Sequence, residues 1–175
     1  MGMGVSALLT DEEFLGLPDA PGKRELLDGK LIELPPAKYF HSEMAKRLAC
    51  LLETVLQQSR VWIETAYRLT SGRWLTPDVS VSWPDQRVEG WFQDAPMVAI
   101  EIASRGNTPD EIDNKVAMYL EHGAAEVWIV YPSTRSIMVF WGGSALRVPG
   151  DADYRCDSLG VTVTPEYRTA AGPVQ

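Results

Sequence analysis

Two carboxylates stand in settings that ask for chemistry. Glu101 interrupts the apolar run Val98-Ala99-Ile100-Glu101-Ile102-Ala103, and Asp78 follows Pro77 at the head of the alternating segment Val79, Val81, Trp83. A carboxylate buried in apolar surroundings is costly unless a metal, a cationic partner or a catalytic task accounts for it. A divalent cation needs several hard oxygen ligands to converge, and adjacent strands would bring Asp78 and Glu101 together. Each residue also has a plainer reading. Glu101 could lie at a strand end in a surface ion pair, and Pro-Asp is common turn chemistry.

The elements that must position these groups are legible from patterning. Thr10 and Glu13 form a capping box for a short helix, and RELLDGKLIEL is a hairpin turning at Asp28-Gly29. After Pro35-Pro36, apolar residues at Met44, Leu48, Leu51, Leu52, Val55 and Leu56 predict an amphipathic helix from His41 to Ser59. A β-rich run from Val61 to Leu69, a Ser71-Gly72 turn and the strand after Pro77 follow. Residues 84–96, with Pro84, Gly90, Pro96, Trp91 and Phe92, read as a loop. The apolar run around Glu101 is a central strand buried on both faces. Thr108-Pro109 opens a helix that ends at His122, with Gly123 as its cap. EVWIVYP, SIMVFW and ALRV are further strands, and the tail beyond about Arg168 is expected to fray. The strand-helix-strand unit from Met97 to Tyr131 is a parallel crossover. The fold class is α/β, more closely an α+β mixed sheet flanked by helices, in a single domain spanning 1–175 with its core at about 11–167.

Bulk properties narrow the function. The 175 residues carry a formal net charge of −8, which opposes a protein that coats nucleic acid through Lys and Arg, although a bound cation adds local positive charge. No run is long and apolar enough for a membrane helix, and the opening turns acidic too early for a secretory signal, so a cytoplasmic protein is expected. Cys50 and Cys156 have no partner at metal-ligand spacing, and Cys50 is expected on the buried face of its helix. No GxSxG elbow, Walker motif or HExxH is present.

Taken together, Thr-Pro-Asp78-Val, Val-Ala-Ile-Glu101-Ile-Ala with Ser104, and the helix carrying Lys115 and Tyr119 ahead of GAAEVWIVYP resemble the PD-(D/E)xK nuclease superfamily. More narrowly, with RELLDGKLIELPP and His41, the chain resembles the Uma family of endonuclease-like proteins from about Asp11 to Tyr167. The resemblance implies a restriction-endonuclease-like core and a Mg²⁺ (or Mn²⁺) ion held by Asp78, Glu101 and the Ile102 carbonyl. It also implies phosphodiester hydrolysis leaving a 5′-phosphate. The superfamily's lysine two residues after the glutamate is replaced by Ala103, which makes Lys115 the candidate migrated lysine. Glu25 corresponds to the superfamily's N-terminal acidic residue, or is an exposed hairpin residue. His41 is assigned a supporting role beside the alternative of a simple helix cap.

Arg68, Arg73 and Arg105 are candidate nucleic-acid contacts, and Trp91 and Phe92 could stack on bases or pack at a dimer interface. Tyr119, Trp128 and Ile129 are expected in the core. The expected partner is nucleic acid, DNA first, acted on by a homodimer with no membrane association. The competing reading is a catalytically inactive binding module that keeps the fold and the carboxylates. The acidic charge, Ala103 and the lack of a recognition helix favour it.

Overall fold

The structure, a computed structural model, describes residues 8–57, 60–104 and 106–164. Helix α1 (Asp11–Leu15) precedes the hairpin β1 (Arg24–Leu27) and β2 (Lys30–Glu33), and the long helix α2 (Tyr39–Leu56) follows. Strands β3 (Val61–Ile63), β4 (Tyr67–Thr70), β5 (Arg73–Leu75), β6 (Val79–Val81) and β7 (Phe92–Gln93) lead to β8 (Val98–Ile102). Helix α3 (Pro109–Glu121) connects β8 to β9 (Glu126–Tyr131). Strands β10 (Ser136–Trp141) and β11 (Ser144–Pro149) and the hairpin β12 (Tyr154–Cys156) and β13 (Val161–Val163) complete the order.

The mixed sheets have the orders β2-β1-β5-β4-β7 and β11-β10-β9-β8-β6-β3, and β12-β13 stands as a separate pair. The expected parallel crossover is present as β8-α3-β9, with Ile100 opposite Trp128. Strand alternation divides the larger sheet between two cores. Val98, Ile100, Ile102, Trp128 and Val130 face Leu48 and Leu52 of α2. Ala99, Val127 and Ile129 face Val116 and Tyr119 of α3, together with Tyr67, Leu69 and Leu75 from the five-stranded sheet. Glu101 shares a face with Ala99 and therefore points toward α3, where cationic and phenolic groups can meet it.

Several expectations are corrected. Helix α2 starts two residues before His41 and stops at Leu56 because Gln57 adopts the left-handed conformation (φ 51°); Ser59 lies outside the described residues. Cys50 is exposed, not buried. It lies two residues from both buried Leu48 and buried Leu52, about 200° around the helix from each, which is the opposite face. The segment 84–96 is not all loop, since Phe92–Gln93 adds a parallel edge to β4. Phe92 is a packing residue: it stacks on Tyr67 at 4.9 Å between ring centroids and meets the Trp62 edge at 5.1 Å. Trp91 packs edge-on to Trp74 at 5.9 Å. The β12-β13 hairpin went unforeseen, because its strands are three residues each, too short for their apolar-polar-apolar alternation to stand out. Residues beyond 164, including the tail after Arg168, lie outside the described residues.

Candidate metal centre

The pairing of β6 with β8 sets Val79 against Ile100, so the next residues out, Asp78 and Glu101, arrive at the same end of the sheet. The backbone N–H of Ile102 donates to Asp78 Oδ2 at 2.7 Å and fixes that carboxylate. Glu25 comes from β1, which lies beside β5 in the other sheet. The Thr76 N–H donates to Glu25 Oε1 at 3.1 Å. The reading of Glu25 as an exposed hairpin residue is thereby excluded, for its exposure is 0%.

Helix α3 brings the cation. Its Thr108 and Glu111 form a reciprocal capping box, and Pro109 opens the first turn. Lys115 and Tyr119, one turn apart, then project to the same side. Lys115 Nζ donates to Glu25 Oε1 at 2.9 Å and to Glu101 Oε1 and Oε2 at 3.3 and 3.2 Å. Tyr119 is core, as expected, and its hydroxyl also donates to Glu101 Oε1 at 2.8 Å.

Three groups at this end were not anticipated. Lys23 Nζ donates to Asp78 Oδ1 and to the Thr76 carbonyl, both at 2.8 Å. Its signal was the two-residue spacing from Glu25, which puts both on one face of an extended chain. The Tyr119 hydroxyl was signalled by its four-residue spacing from Lys115. Glu64 carried no sequence signal: it lies in a connector with φ 46° and donates its N–H to the Asp78 carbonyl at 3.2 Å. His41 Nε2 lies 3.0 Å from Asp78 Oδ1.

The electrostatics follow from this packing. Burial opposes ionisation of Asp78, but the hydrogen bond from His41 and the attraction of Lys23 outweigh it and hold the carboxyl well below its usual range. Burial raises Glu101, with Lys115 pulling the other way. Burial alone would depress Lys115, yet Glu101 and Glu25 hold its ammonium above the ordinary lysine range. The His41 imidazole is raised, chiefly by its hydrogen bond to Asp78.

Among the described residues, the side chains close enough together to hold a divalent cation are Asp78 with His41 and Glu64, a group that shares Asp78 with the expected ligands but does not include Glu101 or Glu25. His41, Glu64 and Asp78 each present a ligand atom, all within 4.8 Å of one another. Among the described residues, Glu25 Oε2 is the buried side-chain polar atom with no hydrogen-bond partner. The remaining sequence candidates lie elsewhere. Arg68 pairs with Asp11 at 2.7 Å, and Arg73 pairs with Asp28 at 2.5 Å. Neither lines the cleft above Asp78 and Glu101, which Ile102 does line. Arg105 lies outside the described residues.

A mixed sheet flanked by helices, carrying acidic and lysine side chains that converge at one strand end, defines a restriction-endonuclease-like protein. The family model Uma2, described as "Putative restriction endonuclease", matches residues 11–158, and the chain belongs to that family. Among solved structures the chain is similar to "a putative nuclease belonging to DUF820" from Anabaena variabilis. The TM-score is 0.77 at 22% identity, covering 91% of this chain and 97% of that one, a likeness of fold. No curated protein matches the chain. Among the described residues no helix is long and apolar enough to cross a membrane.

Proposed function

We propose that the protein is a metal-dependent endonuclease that hydrolyses phosphodiester bonds of nucleic acid, with DNA the first candidate. The observation that carries this reading is Lys115: its ammonium sits between Glu25 and Glu101, at the end of the sheet where Asp78 also lies. Asp78, Glu101 and the Ile102 carbonyl would hold Mg²⁺ or Mn²⁺, with Glu25 completing the set. Such an ion lowers the pKa of a bound water and offsets charge on a phosphoryl oxygen.

The chain's own residues do the rest. Ile102 N–H holds Asp78 in one orientation, so the ligand set is preorganised. Tyr119 orients Glu101 and shields it within the core. Lys115 donates hydrogen bonds to the attacking water or to the developing oxyanion, replacing the lysine that Ala103 lacks. His41 supports Asp78 from the cleft side. Hydrolysis leaves a 5′-phosphate when water attacks phosphorus and the 3′ oxygen departs.

With Mg²⁺ or Mn²⁺ and a panel of single-stranded DNA, duplex DNA and RNA, the wild type should cleave. Glu101→Ala should lower the rate at least about a hundredfold, the scale of removing one electrostatic contributor to the transition state. Cleavage at the wild-type rate by a cation-saturated Glu101→Ala would remove Glu101 from the site.

One observation favours an inactive binding module: Lys23 and Lys115 already neutralise Asp78 and Glu101. Calorimetry paired with the cleavage panel separates the readings: cation uptake with turnover supports the nuclease, and cation uptake without turnover on any member of the panel supports the module.

A further inference from the structure

The stacking aromatics sought in the sequence at Trp91 and Phe92 each pack on another ring, although Trp91 stays 46% exposed, and neither lines the cleft above Asp78 and Glu101, whereas another pair does. Tyr39 and Phe40, at the start of α2, are 73% and 61% exposed, the two most exposed aromatic side chains among the described residues. Their rings meet edge to face at 5.7 Å and, among the described residues, pack on no other aromatic ring. Leaving two such rings in water forfeits the gain of burying them, and an exposed apolar pair beside a site marks a binding surface. The next residue along is His41, whose imidazole touches Asp78, so the pair stands immediately beside the candidate metal centre.

Both rings line the same cleft as Asp78, Glu101 and Lys115, and Lys38 and Arg135 line it too. We propose that Tyr39 and Phe40 form a base-stacking platform, and that the substrate is a single-stranded or locally unpaired nucleic acid, DNA or RNA. The inference rests on the nuclease reading above. Paired bases hide their faces in the duplex, whereas an unpaired strand offers them to aromatic rings regardless of sequence. Lys38 and Arg135 are charged to meet the backbone phosphates flanking a stacked base. The chain's overall negative charge disfavours broad electrostatic wrapping of a duplex, so affinity gained by stacking suits this surface better.

The test uses the full chain with Glu101→Gln to prevent cleavage, in Mg²⁺, and labelled twenty-mers of single-stranded DNA, single-stranded RNA and duplex DNA read by fluorescence anisotropy. Both single strands should bind at least about tenfold more tightly than the duplex. Adding Tyr39→Ala and Phe40→Ala should weaken single-strand binding by about tenfold or more and leave duplex binding within about twofold, while Tyr39→Trp restores it. A preference among the single strands names DNA or RNA as the source. An equal loss on single strand and duplex, or no loss, overturns the platform while leaving the nuclease reading standing. Absence of binding to every nucleic acid overturns both. A wild-type dimer that the double variant converts to monomer, seen by sedimentation, assigns the rings to a subunit contact and overturns the proposal. Unchanged thermal melting of the double variant confirms that any loss is not unfolding.

Discussion

Asp78 Oδ1 accepts from Lys23 and lies against His41, while Glu101 accepts from Lys115 and Tyr119. An entering cation must therefore compete with ammonium groups already in place. Lys23→Met should tighten Mn²⁺ affinity measured by calorimetry by roughly fivefold, the equivalent of about 1 kcal/mol for a partly exposed pair. Unchanged or weaker affinity would show that Lys23 does not hold the cation's place. Lys115 differs, because it holds two carboxylates at once, and one of them, Glu25, is only 1% exposed. Lys115→Ala strands Glu25 without its cation, and a denaturant titration should show a loss of about 3 kcal/mol. At this scale the sequence disclosed the carboxylates, since an acid inside an apolar run is conspicuous. It offered Lys23 only through its two-residue spacing from Glu25 and did not disclose Glu64 at all, because a polar residue in a connector is the ordinary case and only tertiary closure brings it to Asp78.

Among the elements, the last hairpin packs Cys156 and Val163 into the core of the larger sheet, and one acid gathers its side-chain hydrogen bonds to that sheet. Glu126, at the head of β9 and 4% exposed, accepts from Trp128 Nε1 at 2.9 Å and from the Tyr154 hydroxyl at 2.8 Å. Cys156 and Ser158 donate to its other oxygen. Burial opposes its ionisation, but the Ser158, Trp128 and Tyr154 bonds prevail and hold its carboxyl below the ordinary range. A depressed folded-state pKa contributes stability that is present above the unfolded value and lost as pH falls through the folded one. Glu126→Gln should thus cost about 2 kcal/mol near neutrality. The gap between wild-type and variant melting curves should close as pH falls below 4.5, the ordinary glutamate value. A gap constant down to pH 3 would refute the clasp. Thr108→Ala, which removes the α3 cap, should cost about 1 kcal/mol by thermal melting. The caps of α1 and α3 and the β8-α3-β9 crossover were readable because their signals are local. β7 was not, since a two-residue parallel edge owes its existence to β4, far away in sequence.

For the molecule as a whole, charge and assembly are linked. With a net charge of −8, and with Lys23, Arg24, Arg47 and Lys115 of the cleft already paired to carboxylates, Lys38, Arg135 and one lysine turned from the site to substrate would make few phosphate contacts. The salt dependence of single-strand binding should be shallow, with a log–log slope of about −2, since three cations contribute roughly 0.7 each. A slope steeper than about −5 would place the binding surface elsewhere. The expected homodimer belongs with cutting both strands of a duplex. A single-strand substrate needs one cleft, and cleavage should then be first order in protein across its dissociation range.

The ion pair between Glu25 and Lys115 spans 90 residues of chain. During synthesis the hairpin that bears Glu25 and the strand that bears Asp78 emerge well before α3. The acids then have water and Lys23 as partners, and burying them without Lys115 would be unfavourable. The cluster thus delays its own completion. Docking of α3 closes the long loop, supplies the missing counter-charge and covers the second core. A nascent chain cannot assemble the cleft until that helix has left the ribosome, so a partial product carries Glu25 and Glu101 without the ammonium that pairs them.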